Sequence, residues 1–317
     1  MSNLLKLRLS EIQGSLRPAD VFICSASFES RCMSLSTNID ASAFKSVLIC
    51  ANENFPSVVR RDVKRLQGIW GSKSVRVMLN TENPLRTADS LQSAVGEALG
   101  AGHKAFLIDI TTFTHEGLLI LLRIFKFFDI ASVDLAYATA DKYSVGDAEG
   151  SKWLSKGVGE VRSVLGYPGK VIPSNKLHLV VMAGFEAERA ESMVQQCEPS
   201  RVSLGLGDPT DSISSDHYRA NQIFHGRLME KYANIIPFTF SCTDSDKTLE
   251  ELRRQVAVVP GHNVLIAPMN TKISTVGAAL LAMEDESIQL CYATAHKYNM
   301  THYSTPGDEC YYFSVSL

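Results

Sequence analysis

The 317-residue chain is 45% hydrophobic and 21% charged, which fits two globular domains of ordinary size and excludes a disordered or fibrous class. Its formal charge of −3 supplies no global pull toward duplex nucleic acid or an acidic membrane surface. The longest apolar run, Leu118–Phe128, is broken by Arg123 and Lys126, so no membrane span is expected.

In chain order, Asp20–Ala26 (DVFICSA) is a short apolar run ending in small residues and predicts a buried strand. Lys45–Asn54 predicts a second strand, Ser57–Trp70 a helix, Ser74–Asn80 a third strand, and Thr87–Gly102 a helix stopped by glycine. Lys104–Thr114 (KAFLIDITTFT) predicts a fourth strand running into hydroxyl residues. A helix and a fifth strand, SVDLAYATA, follow. Gly166–Lys176, rich in Gly and Pro, reads as a linker. The alternation then restarts. Strands are expected at Lys176–Gly184, Ser200–Pro209, IIPFTFS, His262–Lys272 and SIQLCYATA, with helices between them, including Asp216–Ala233. Strands alternating with helices of this length imply right-handed crossovers and mostly parallel sheets covered on both faces.

The restart is a repeat. SVDLAYATADKY (Ser132–Tyr143) and SIQLCYATAHKY (Ser287–Tyr298) agree at eight of twelve positions. SASFESR (Ser25–Arg31) and MAGFEAER (Met182–Arg189) each follow the first strand of a half. Phe28 and Phe185, Glu29 and Glu186, and Thr114 and Thr271 all stand 157 positions apart, and the YATA phrases 155. A near-constant offset predicts an internal duplication. The fold class expected is therefore α/β, two tandem Rossmann-like domains over 1–168 and 169–317.

In an open parallel α/β sheet, ligands bind outside the carboxyl ends of the strands. That places Ser25, Ser27, Phe28, Glu29, Arg31, Asp109, Thr111, Thr112 and Thr114 at the candidate site of the first half. It places Gly184, Phe185, Glu186, Arg189, Asn270, Thr271 and Lys272 at that of the second. Hydroxyls and unpaired backbone N–H groups at a helix start suit a phosphate, and equally suit plain helix capping. Lysine at a helix start opposes the dipole, which favours a ligand at Asn270-Thr271-Lys272. Glu29 and Glu186 read as acceptors of a ribose hydroxyl or as nucleophiles of a glycosidase. Arg31 and Arg189 read as phosphate clamps or as partners of those carboxylates.

Seven cysteines, without Cys-x-x-Cys spacing, read as reduced thiols of a cytoplasmic protein. The amino terminus has charges scattered among its leucines and does not read as a signal peptide. No metal-ligand spacing, dinucleotide fingerprint, P-loop or nucleophile elbow is present, so neither metal nor cofactor is expected. Catalytic residues are not assigned.

DITTFTHEGLLILLRIFKF resembles the motif of CRISPR-associated Rossmann-fold (CARF) sensor domains, in which a strand ends in Asp-x-Thr-Gly-Gly-Thr-Lys before a helix. PMNTKISTVGAALLA resembles a variant of it. The first copy has Thr112-Phe113 and His115 in place of the Gly-Gly and the Lys; the second lacks the Asp and the glycines. The resemblance implies paired domains that hold a cyclic oligonucleotide second messenger to switch an effector, in a setting of prokaryotic antiviral defence; with the two halves taking up the sequence, the expected effector is a separate partner protein. The alternative from another class is a metal-independent nucleotide-processing enzyme, a phosphodiesterase or an N-glycosidase using Glu29 or Glu186.

Overall fold

The computed structural model describes residues 4–53, 56–145, 153–213, 215–232 and 234–317. They divide into two compact units, one made of Met1–Tyr143 and Met300–Leu317, the other of Ser144–Asn299. Each is a Rossmann-like α/β layer structure, and the expected fold class holds.

The first unit contains β1 (Leu5–Arg8), β2 (Val21–Ala26), β3 (Ser46–Asn52), α1 (Pro56–Trp70), β4 (Ser74–Leu79), α2 (Pro84–Gly100), β5 (Phe106–Asp109), α3 (His115–Phe127) and β6 (Ser132–Tyr143). The second contains β7 (Ser155–Pro168), β8 (Leu177–Met182), α4 (Ala187–Cys197), β9 (Arg201–Gly207), α5 (Ser215–Lys231), β10 (Ile235–Phe240), α6 (Ser245–Val258), β11 (Asn263–Pro268), α7 (Lys272–Glu284) and β12 (Gln289–Tyr298). The last strand, β13 (Ser304–Ser316), returns to the first unit.

The two sheets have the same order: β4-β3-β2-β5-β6-β13 with β1 outside, and β10-β9-β8-β11-β12-β7. The first five strands of each are parallel, and the sixth is antiparallel. β2 (VFICSA) is buried along its whole length, as a strand covered on both faces must be. Helices follow their caps. Thr114 accepts from Gly117 N at the start of α3, and Asp244 accepts from Asp246 N and Lys247 N at the start of α6. In the first unit, Phe22, Phe44 and Trp70 pack at 5.0–5.8 Å between ring centroids and anchor the core on the α1 face.

Three expectations need correction. β5 stops at Asp109, and Thr111–Thr114 form the turn into α3 rather than more strand, because Thr114 is engaged as the helix cap. Gly166–Lys176 is not wholly a linker: Gly166–Pro168 closes β7, with Pro168 opposite Gln289. The expected division at 168/169 separates the sequence repeats but not the compact units. β7 follows β6 in the chain, yet pairs with β12, while β13 follows β12, yet pairs with β6. The closing antiparallel strand of each sheet thus comes from the other repeat. Both strands escaped the sequence reading. β13 carries Pro306-Gly307 at a register shift, where a residue without an N–H is tolerated, and β7 is a half-exposed edge strand broken by glycines.

Among the described residues no helix is long and apolar enough to cross a membrane, and no group of three or more His, Cys, Asp or Glu gathers as metal ligands would.

Candidate functional site

In the first unit β2 and β5 lie side by side, and the chain leaves them in opposite directions along the sheet, toward β3 and β6. Their carboxyl ends therefore form a topological switch point. β8 and β11 do the same in the second unit.

After β2 the chain makes a short 3-10 turn, Ser30–Met33, with Glu29 at its N-cap. Arg31 is 3% exposed and folds back onto Glu29, donating from Nη2 at 2.6 Å and from Nε at 3.1 Å. Nη1 donates to the Ala138 carbonyl at 3.1 Å. The guanidinium carbon lies 5.9 Å from the Tyr137 ring centroid and 5.3 Å from that of Tyr143, whose hydroxyls are 3.4 Å apart. Ser304, on β13, donates to Glu29 Oε2 at 2.8 Å and accepts from Arg31 Nε at 3.2 Å.

The second unit builds the same cluster from equivalent residues. Arg189 pairs with Glu186 and donates to the Ala293 carbonyl, and its guanidinium carbon lies 5.3 Å from the Tyr292 ring. The Tyr292 and Tyr298 hydroxyls are 3.5 Å apart. Ser155, on β7, donates to Glu186 Oε1. Glu and Arg are two positions apart on the 3-10 turn and three apart on α4. The extra residue in FEAER compensates for the change of helix type, so both guanidinium groups meet the same partners.

This accounts for the repeated YATA phrase. Tyr137 and Tyr143 are six apart on one strand, so both face the same side and flank the arginine, as do Tyr292 and Tyr298. Burial works against the Arg31 charge, but the Glu29 carboxylate and the two tyrosines more than offset it and hold the group above its ordinary range. Burial pushes the Tyr143 and Tyr298 hydroxyls well above the usual phenol value, so both stay protonated.

The remaining predicted residues are placed as follows. Ser25 is buried in β2, and its carbonyl accepts from Thr112 Oγ1 at 2.7 Å. Ser27 Oγ accepts from Glu29 N at 3.3 Å. Phe28 meets Tyr303 edge-on at 5.4 Å. Thr111 donates its N–H to Asp109 at 3.0 Å, while its hydroxyl accepts from Ala138 N at 2.9 Å. Asp109 is buried at the end of β5, and burial pushes its carboxyl up to about 7. Gly184 is a close crossing of two backbones, since any side chain there would run into the Met269 carbonyl. Phe185 meets the His217 ring edge-on at 5.3 Å. Asn270 Nδ2 donates to the Ala183 carbonyl at 2.5 Å. Thr271 caps α7, accepting from Ser274 N at 3.2 Å and donating to the Cys242 carbonyl at 2.7 Å. Lys272 is the first residue of α7, the place His115 takes in α3.

The structure thus gathers Glu29 with Arg31, and Glu186 with Arg189, within each unit. It also gives the hydroxyls of Thr112, Thr114 and Thr271 backbone partners in their own units. Sequence reading missed Tyr137, Tyr143, Tyr292, Tyr298, Ser155 and Ser304 as parts of these clusters. The Lys-Tyr that closes both repeated phrases was the available signal for Tyr143 and Tyr298. The serines had none, because their strands were not recognised.

No family model matches the chain, and no curated protein matches it significantly. Among solved structures, the cytoplasmic domain of a prokaryotic cation chloride cotransporter is similar over 90% of this chain and 99% of that one, at 10% identity and a TM-score of 0.27. UDP-GlcNAc 2-epimerase from Neisseria meningitidis, bound to UDP-GlcNAc, is similar over 83% and 90%, at 6% identity and a TM-score of 0.23. At these values neither likeness bears on function, and the architecture stands on the strand order described above.

Proposed function

We propose that this protein binds a nucleotide-class ligand, a cyclic oligonucleotide second messenger being one form, and acts as a sensor with a separate effector rather than as an enzyme. The observation that carries the reading is the start of α7. There Lys272 follows the Thr271 cap at the carboxyl end of β11, beside β8 at the switch point. A lysine at the first position of a helix and the N–H donors of that helix start can converge on one anionic group. His115 brings no fixed charge to the same place in the first unit, so the anionic group belongs to the second.

Binding without turnover is supported by the carboxylates. Glu29 and Glu186 are each held by a buried arginine and a serine. An ion pair with a buried arginine stabilises the carboxylate charge that a glycosidic nucleophile gives up when it forms its ester. The test is calorimetry and mass spectrometry with a panel of mononucleotides, NAD and cyclic oligonucleotides. Ligand should be recovered intact, and Lys272→Ala should weaken binding about tenfold, the scale of one charge-assisted contact, with His115→Ala near neutral. Equal and negligible effects would remove the phosphate site. Robust wild-type turnover, abolished by Glu29→Gln or Glu186→Gln, would establish the enzyme instead.

A further inference from the structure

The second unit holds buried hydrogen-bond acceptors that the reading above does not use. On α5, His217, Asn221 and His225 follow at four-residue spacing and so share one face of the helix. His225 is fully buried, and its Nε2 lies 2.7 Å from the Gly184 carbonyl oxygen. A carbonyl only accepts, so Nε2 carries the proton and Nδ1 is left as a lone pair. Burial keeps the ring neutral by lowering its pKa, against the smaller opposite pull of that carbonyl. Asn221 is 5% exposed. Neither His225 Nδ1 nor Asn221 Oδ1 finds a donor among the described residues.

Two turns toward the helix start from His225, the His217 ring meets Phe185, and both side chains are half-buried. The face therefore runs from an aromatic pair at its outer end to two bare acceptors at its inner end. Its partner is the Gly184–Phe185 segment that leaves β8 at the switch point. Buried acceptors without donors are uncommon, because each forfeits a hydrogen bond it had in water. A group that is flat, stacks on aromatic rings and presents an N–H₂ answers both ends of this face. That is a nucleobase with an exocyclic amine.

We propose that this face of α5 is a base-reading subsite: the amine donates to His225 Nδ1 and Asn221 Oδ1, and the ring lies against Phe185 and His217. The proposal rests on the nucleotide reading and adds to it which part of the ligand is read, and by which residues. Among the described residues, the first unit shows no counterpart on α1. The inward residues described on α1 are Val59, Asp62, Val63, Leu66 and Trp70, and Asp62 is already paired with Arg61 and Arg65.

The test compares bases that differ in the amine, using the wild-type protein and isothermal calorimetry. The pairs are AMP against IMP, GMP against IMP and CMP against UMP, each repeated as cyclic dinucleotides where available. At least one pair should favour the amine at least tenfold, since a keto oxygen (IMP against AMP, UMP against CMP) or a bare C–H (IMP against GMP) would leave the two lone pairs without a donor. Asn221→Leu should reduce that ratio to threefold or less, whereas Lys272→Ala should weaken both members equally and leave the ratio intact. Comparable affinity within every pair overturns this subsite but leaves nucleotide binding standing. No binding of any nucleotide overturns both. A preserved ratio in folded Asn221→Leu, verified by circular dichroism, overturns the assignment to α5.

Discussion

Removing the Arg31 guanidinium would leave the Glu29 carboxylate, 11% exposed at its side chain, without its counter-ion. Breaking such a pair costs about 3–5 kcal/mol, and the partial exposure of Glu29 favours the lower end. Glu29→Gln keeps an acceptor for Ser304 and loses about 1–3 kcal/mol. The two changes should not add. In a double-mutant cycle read by urea unfolding, Arg31→Met should cost at least about 1 kcal/mol less in the Glu29→Gln background. Arg189 and Glu186 should behave alike. Additive losses at both pairs would show that the clusters are coincidental neighbours. The Glu-Arg sets were legible in the sequence because identical letters recur after equivalent strands. Their chemistry was not. Whether Arg31 meets a phosphate or its own carboxylate depends on Tyr143 and Ser304, which reach it from distant parts of the chain.

At the level of elements, parallel strands and helices follow local patterns that a sequence displays. Near-continuous apolar runs such as VFICSA and LHLVVM leave little doubt about strand or layer. The antiparallel closing strands do not, since partner choice is a property of the whole chain rather than of a window within it. The exchange of β7 and β13 makes a prediction about fragments. A chain of 144–299 retains all six strands of its sheet and should be a folded monomer. A chain of 169–317 follows the repeat, lacks β7 and carries β13 without β6, leaving the edge of β12 open. It should aggregate or dimerise. Size-exclusion chromatography and circular dichroism of the two decide the matter. Equal, monomeric behaviour would mean that β13 folds back on β12 and that the exchange is incidental.

At the scale of the whole molecule, two buried groups, Asp109 in the first unit and His178 in the second, shift stability with pH in opposite directions. Burial raises Asp109 from 3.8 to about 7. Above pH 4 the unfolded chain loses this proton while the folded one keeps it, so the contribution to stability falls with rising pH until about 7. Burial, with His262 and Arg201 adding, lowers His178 in the second unit from 6.5 to about 4. That contribution is present above 6.5 and lost as pH falls toward 4. Each slope is at most about 1.4 kcal/mol per pH unit. The gain in Tm of Asp109→Asn over wild type should therefore grow from pH 4 to 7 and level off. That of His178→Asn, which keeps a polar group toward Ser203, should grow from pH 6.5 down to 4. Differences that do not vary with pH would show that neither group titrates as its burial requires.

The exchanged strands also set the order in which the units are completed during synthesis. Domains commonly fold from the amino terminus as the chain leaves the ribosome. Here the sheet that begins first finishes last. β1 and β6 both pair with β13, so the first unit lacks a strand until Ser304–Ser316 has emerged. The second unit has every strand once β12 is out. A chain ending at residue 300 and stalled on an appended linker long enough to clear the exit tunnel should thus carry a protease-resistant second unit and a protease-sensitive first one. Truncated translation products would display the bare edge of β6, which marks them for chaperones and proteases.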